Sequence, residues 1–203
     1  MPVAAPATLT ALATPSLPDA PSARERLLDT AHRLFYRDGI RATGIDKVIA
    51  EARVTKVTFY RHFPSKDDLV LGYLALRHDA WMAWWRDALS RHARQGPRAV
   101  VAALAEWFAA EGWRGCAFIN AVGELGATHA PVVALARDHK SGMADAIASL
   151  LPGARGRAAL SRAIATAVDG AIVRAQCDGE AGPALRSLRD IVDALVVAGA
   201  RTR

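Results

Sequence analysis

A short run of basic, hydroxyl-bearing and aromatic residues begins at Lys56 and has the composition of a surface that binds nucleic acid. On a helix, its outward side would carry Lys56, Val57, Tyr60 and Arg61. We predict that Lys56, Tyr60 and Arg61 contact base edges. Long cations donate hydrogen bonds to guanine and to phosphate, and a methyl group packs against thymine. Contacts with the phosphate backbone are predicted for five further residues: Thr43, Thr55, Thr58, His62 and Lys66.

The segment before this run is predicted to be a short amphipathic helix. Ile45, Val48, Ile49 and Ala52 recur at the spacing of one buried helical face. Thr43 precedes them and is expected to cap the first turn. A helix from Ile45 to Ala52 would therefore lie directly before the basic run.

The basic run itself is predicted to be a second helix. Thr55 can cap it, and Phe59 and Phe63 are four residues apart on the side that would enter a core. Pro64 should end the helix, because the residue before a proline avoids the α conformation, and Ser65 can cap the next one. Two short helices joined by about three residues, the second basic on its free side, form a helix-turn-helix.

The flanking segments complete this arrangement. A helix with Ser22 as its cap and Gly39 as its stop is predicted to support the helix pair. A further helix from about Lys66 to Arg91 would extend roughly 39 Å at 1.5 Å per residue, which is too long for the small domain alone. We expect this long helix to enter a second core.

The run V-T-K-V-T-F-Y-R-H-F-P-S-K-D-D-L from Val54 to Leu69 resembles the DNA-binding region of the tetracycline-repressor (TetR) family of bacterial transcription regulators. The resemblance implies an all-α fold, in which an N-terminal three-helix helix-turn-helix DNA-binding domain is joined by a long helix to a C-terminal helical ligand-binding and dimerisation domain. The expected boundaries are a disordered Pro/Ala-rich tail at 1–20, the DNA-binding domain at 21–68 and the second domain at 69–203. The family usually has glycine in the turn where this chain has Arg53. If that turn requires positive φ at Arg53, the folded chain would lose on the order of 1 kcal/mol of stability.

The distribution of charge agrees with a polyanionic partner. The chain has 26 Lys+Arg against 20 Asp+Glu, a formal net charge of +6. Ten Lys/Arg but only five Asp/Glu lie between Ser22 and Lys66, so most of the excess falls in the predicted reading domain. Cys116 and Cys177 stand alone, without the spacing of a zinc site or a disulfide framework. No cofactor or metal is expected, and the lack of a long apolar run or signal peptide predicts a cytoplasmic protein with no membrane contact.

The aromatic residues of the second domain indicate a possible small-molecule pocket. All five tryptophans fall in a window of about 33 residues, and polar side chains at Asn120 and Glu124 share one helical face. The alternative is that the aromatics form an ordinary core and that the two polar residues cap helices or meet solvent. The resemblance implies an inducer site in this part of the chain. The candidate pocket residues are Trp81, Trp84, Trp85, Trp107, Phe108, Trp113, Phe118, Asn120 and Glu124.

The last two predicted helices are apolar on more than one side, which indicates that each needs a second partner. A second copy of the same pair would form a four-helix bundle about a two-fold axis, and a dimer could read a palindrome. The residues predicted for this interface are Leu160, Ile164, Val168, Ile172, Leu188, Val192 and Leu195.

The sequence thus favours a homodimeric regulator that binds a palindromic operator in double-stranded DNA and is released by a small-molecule effector, most simply a repressor. Two alternatives remain open. The first is a ligand-independent or activating DNA-binding regulator. The second is a helical enzyme that uses the aromatic pocket with Glu124 as base, although no partner residue stands at catalytic spacing.

Overall fold

The computed structural model describes residues 21–151, 153–154 and 156–201, and the predicted tail at 1–20 lies outside them. Within these ranges the protein is all-α, as expected, with no strand. A short 3-10 helix, Ala93–Arg98, precedes the fifth α-helix. The α-helices are α1 (Ala23–Asp38), α2 (Ile45–Ala52), α3 (Lys56–His62), α4 (Lys66–Arg91), α5 (Ala99–Phe108), α6 (Ala117–Leu125), α7 (Ala130–Ala148), α8 (Arg157–Asp178) and α9 (Gly182–Arg201).

The described chain divides into two compact units, and α4 contributes to both. One unit contains residues 21–79 together with Cys116–Ala136, and we call it the reading unit. The other contains Ala80–Gly115 and the chain from Arg137 onwards, and we call it the C-terminal unit. The segment that carries α6 therefore belongs with the N-terminal helices, although residues 80–115 separate it from them in sequence.

Local capping sets the start of three helices in the reading unit, as predicted. Ser22 and Glu25 form a reciprocal capping box at α1. The Thr55 hydroxyl accepts a hydrogen bond from the backbone N–H of Thr58 at the start of α3. At α4 the Ser65 hydroxyl accepts one from the backbone N–H of Asp68, at 3.1 Å.

The predicted cap of α2 is wrong. Gly44 occupies the N-cap position, and no side chain bonds there. Thr43 is instead fully buried, and its hydroxyl donates a hydrogen bond of 2.8 Å to the backbone carbonyl of Gly39. A buried hydroxyl donor must find an acceptor, and the turn after α1 offers the carbonyl of Gly39, whereas the first turn of α2 presents only N–H donors.

The turn between α2 and α3 requires positive φ at a non-glycine residue. Arg53 adopts φ 53° and ψ 50°, and among the described residues no other non-glycine residue has positive φ. An L-residue in this conformation costs about 1 kcal/mol or more, because its Cβ crowds the following carbonyl oxygen. The turn therefore keeps its left-handed shape despite the absence of glycine.

Replacing Arg53 with glycine should raise the free energy of unfolding by about 0.5 to 1 kcal/mol, since relief of backbone crowding exceeds the extra chain entropy of glycine. Chemical denaturation of the purified protein measures this change. Arg53→Ala is the control, because it removes the same charge and keeps the Cβ. If alanine stabilised the protein as much as glycine, the gain would come from charge and not from backbone conformation.

One apolar core fixes the three N-terminal helices and the first part of α4. Its members are almost completely buried, and they alternate with exposed positions at the helical period. Phe59 contributes the inward side of α3, which leaves the opposite side of that short helix without an apolar partner in the unit. The core includes Leu27, Leu34, Phe35, Val48, Phe59, Phe63, Leu69, Val70 and Tyr73.

In the C-terminal unit α8 and α9 pack against each other, and this corrects the predicted dimer interface. Ile164, Val168, Ile172, Leu188 and Val192 are at most 1% exposed and form the core of a single chain. Only two of the predicted residues are partly exposed, namely Leu160 and Leu195. The helical period identified residues that need burial, but it does not distinguish burial within a chain from burial between chains.

Candidate nucleic-acid interface

The outward side of α3 is a solvent-exposed surface, as the sequence indicated. Val57 is 71% exposed and Tyr60 is 43% exposed, although both are large apolar or aromatic residues. Lys56 and Arg61 are exposed beside them. We call these four residues the reading face; they combine two long cations, a phenol and a branched methyl-bearing side chain, which suit guanine edges, phosphates and thymine methyl groups.

The side chains of the reading face make only weak contacts with the rest of the protein. Lys56 Nζ lies 3.7 Å from Asp46 Oδ1, and both side chains are largely exposed. Exposed pairs of this kind contribute at most about 1 kcal/mol, so Lys56 can exchange this carboxylate for a phosphate. Tyr60 stands edge-on to Phe59, with ring centroids 5.2 Å apart, which orients the phenol outwards from the core.

The residues predicted to contact phosphates divide into two groups. Thr55 is exposed, Thr58 and His62 are half-buried, and the two threonine hydroxyls lie 2.8 Å apart at the start of α3. The hydroxyl of Thr43 is buried and is therefore not available to a phosphate. Lys66 Nζ donates a hydrogen bond of 2.6 Å to the carbonyl of Ile40, and partial burial lowers the pKa of this lysine, so Lys66 would have to leave that carbonyl before it met DNA.

The predicted pocket residues do not form one group. Trp81, Trp84, Trp85, Trp107, Phe108 and Trp113 all belong to the C-terminal unit, where they form a continuous aromatic cluster. Trp81 stacks on Trp85 at 5.1 Å between centroids, and its ring lies 4.8 Å from that of the buried His139. The indole N–H groups of Trp81, Trp85, Trp107 and Trp113 are buried, and none has an acceptor among the described residues.

Phe118, Asn120 and Glu124 belong instead to the reading unit. Phe118 is buried and stands edge-on to His78. The Glu124 carboxylate accepts hydrogen bonds from the backbone of the turn after α1, so it behaves as the alternative interpretation expected, as a side chain that caps neighbouring backbone. This contact joins residues more than 80 positions apart, and no local sequence pattern could have revealed it.

Two other kinds of feature are missing from the described part of the chain. No group of three or more His, Cys, Asp or Glu side chains there is arranged to hold a metal ion. No helix within the described ranges has the length and apolar character needed to cross a membrane.

Comparison with known proteins gives consistent results for the N-terminal part. The model of the family described as bacterial regulatory proteins, tetR family, matches residues 27–73. Over 48 residues the chain is 42% identical to the uncharacterised HTH-type transcriptional regulator YerO of Bacillus subtilis, a match that covers 24% of this chain and 17% of that protein. It is 27% identical over 63 residues to the regulator QacR of Staphylococcus aureus, covering 31% of this chain and 34% of that protein. The chain thus matches only about a third or less of these curated relatives.

Comparison with solved structures extends over most of the chain. SCO4454, a TetR-family transcriptional regulator from Streptomyces coelicolor, is 34% identical with a TM-score of 0.74, and the match covers 85% of this chain and 95% of that one. The reduced form of NemR from Escherichia coli shares the fold with a TM-score of 0.73 at 19% identity, covering 84% and 96% of the two chains. These matches, the all-α architecture and the exposed reading face agree, and they show that the chain belongs to the TetR family of DNA-binding transcriptional regulators.

Proposed function

We propose that this protein is a transcriptional repressor which binds a palindromic operator as a homodimer and leaves it when a small molecule occupies the C-terminal unit. The observation that carries the proposal is the reading face, where two cations, a tyrosine and a 71% exposed valine stand on a helix whose other side is locked into the core. Such a helix fits the major groove of duplex DNA. Because its target is chromosomal DNA, we expect the protein to act in the cytoplasm.

The dimer is proposed to form through the exposed sides of α8 and α9. Val173, Ile191 and Val197 are 39%, 45% and 57% exposed on these helices, which is unusual for such apolar residues. A groove of about 270 Å³ runs between the helices beside Ile191 and Gly170. Small residues along it allow close approach, so a second copy of the pair would complete a four-helix bundle.

Substitution of Ile191 by glutamate should convert the dimer to a monomer, since each interface would bury an unpaired carboxylate. The mass in solution, measured by light scattering over a range of concentrations, tests this expectation. Leu76→Glu is the control, because that exposed leucine belongs to the reading unit and not to α8 or α9. A dimer that survived Ile191→Glu would place the interface elsewhere.

The proposed effector site is the aromatic cluster of the C-terminal unit. Each buried indole N–H without an acceptor costs about 1 to 3 kcal/mol, and a ligand that carries acceptor atoms would recover part of that cost. A flat molecule with hydrogen-bond acceptors suits these donors and the stacked rings. The effector would act by population shift, binding more tightly to a state in which the two reading faces no longer match successive major grooves.

The decisive experiment selects bound fragments from random or genomic DNA with the pure protein. Enrichment of an inverted repeat is expected, because a two-fold dimer presents the same face twice about one helical turn apart. A single unrepeated site, or no enrichment at low salt, would contradict the proposed function. With the repeat in hand, compounds that both quench tryptophan fluorescence and release DNA would identify the effector, whereas an activator or a ligand-independent regulator would show no such release.

A further inference from the structure

The turn between α1 and α2 is held by α6 through a single side chain. One carboxylate oxygen of Glu124 accepts a hydrogen bond from the backbone N–H of Ile40 at 3.1 Å, and the other accepts one from that of Arg41 at 2.7 Å. In addition, the guanidinium Nε of Arg41 donates a hydrogen bond of 2.6 Å to the backbone carbonyl of Glu124. Three hydrogen bonds thus join the last turn of α6 to two consecutive residues of the turn.

Two backbone carbonyls of this turn also accept hydrogen bonds from side chains. Lys66, at the start of α4, donates to the carbonyl of Ile40, and Thr43 donates to the carbonyl of Gly39. Gly39 has φ 91°, and a Cβ at this position would lie only 3.4 Å from the Glu124 carboxylate oxygens. The backbone therefore approaches Glu124 closely, and contacts from α4 and α6 hold it together with the local bond between Thr43 and Gly39.

This turn leads directly into the helix pair that carries the reading face. Ile40 is 3% exposed, so its backbone cannot move without disturbing the core, and α2 begins five residues later at Ile45. Val48 of α2 and Phe59 of α3 are both fully or almost fully buried in the same core. A displacement of the turn is thus passed to α3 through packed side chains.

We propose that Glu124 is a positioning residue for DNA recognition: it fixes the turn after α1 and so holds the reading face at the orientation that base contacts require. This inference rests on the proposed function of the reading face. Glu124 itself touches no DNA in this scheme. A nearby polar contact of the same segment, between His129 and Asp67, is 3.5 Å long, so Glu124 supplies the stronger connection to the N-terminal helices.

The carboxylate is suited to this role because it accepts at both oxygens and carries charge. Hydrogen bonds to a charged acceptor are shorter and stronger than those between neutral groups. Glutamine has the same shape but only one acceptor oxygen, so its amide N–H₂ would face one of the two backbone donors. Glu124→Gln therefore breaks the paired contact while the volume of the side chain is preserved.

The test compares wild type with Glu124→Gln by DNA binding to the selected inverted repeat and to random duplex DNA. Operator affinity should fall about tenfold, because the turn would then hold the competent orientation only about a tenth of the time. Affinity for random DNA and its salt dependence should stay unchanged, because phosphate attraction does not need the exact orientation. Glu111→Gln is the matched control, since it removes an exposed carboxylate of the C-terminal unit and should change neither affinity.

A second measurement keeps the proposal testable without DNA. In wild type the amide protons of Ile40 and Arg41 should exchange slowly with solvent, and in Glu124→Gln they should exchange faster while those of α1 remain protected. Unchanged operator affinity, an equal loss for operator and random DNA, or unchanged amide exchange would overturn the proposal. If wild type itself did not distinguish operator from random DNA, the proposed function would fail instead.

Discussion

Replacing Arg61 with alanine should weaken binding to the operator by about 1 to 3 kcal/mol and relax the preference at one base position. Arg61 is exposed on α3, and no ion pair between described residues engages it, so its guanidinium is available for a bidentate contact with guanine. Lys56→Ala should weaken binding by a similar amount, because the one ion pair that Lys56 makes within the described residues, with Asp46, is long and exposed. Binding assays with the selected operator and its single-base variants measure both effects.

The control for these substitutions is Arg86→Ala, which removes one positive charge from an exposed position in the part of α4 that belongs to the C-terminal unit. It should leave operator affinity and base preference unchanged. A loss of similar size in the control would mean that net charge, and not the reading face, determines affinity. If neither Arg61→Ala nor Lys56→Ala altered the base preference, the assignment of base contacts to this side of α3 would be incorrect.

The sequence predicts the N-terminal helices well because their limits depend on local chemistry. Three helices are capped by side chains that bond to the backbone three positions further along, namely Ser22 with Glu25, Thr55 and Ser65. Such contacts can be identified from spacing alone. Thr43 is predicted to cap α2 in the same way, but Gly44 is the N-cap residue, and the buried hydroxyl of Thr43 bonds to Gly39. Local rules hold where the cap faces solvent, and tertiary contacts override them where the residue is buried.

The sequence predicts the chain after α4 less completely, for two different reasons. Ile164 and Val192 were correctly identified as residues that need burial, but a helix with two apolar sides does not reveal which side meets its own chain. Glu124 shares a helical face with Asn120 beside an aromatic-rich segment, and this pattern assigns it to a pocket, whereas the fold places it against Ile40 and Arg41. Contacts across more than 80 residues depend on the assembled topology, which helical periodicity cannot supply.

Acidification should destabilise the reading unit through His32, a half-buried histidine on α1. Arg77 is only 3% exposed and lies 2.9 Å from the Nε2 atom of His32, so a neutral imidazole can accept its N–H, and the guanidinium also stacks 4.3 Å from the Tyr36 ring. Burial and then the positive charges of Arg77 and Arg33 lower the pKa of His32 from 6.5 to about 4, against the opposite effect of Asp29. A protonated imidazole would have no lone pair for Arg77 and would place two cations together.

The direction of the pH effect follows from this lowered pKa. The unfolded chain binds a proton at His32 near pH 6.5, and the folded chain binds it only near pH 4. The contribution of neutral His32 to the free energy of unfolding is therefore fully present above about pH 6.5 and is lost as the pH falls towards 4. Between pH 7.5 and pH 5 the loss should be about 2 kcal/mol, which urea denaturation at each pH would measure. His32→Gln keeps an acceptor for Arg77 but has no titrating group. The free energy of unfolding of this variant should therefore depend less on pH by the amount that His32 contributes. If the glutamine variant retained the full slope, other groups would account for the acid sensitivity, and the Arg77–His32 contact would have no part in it.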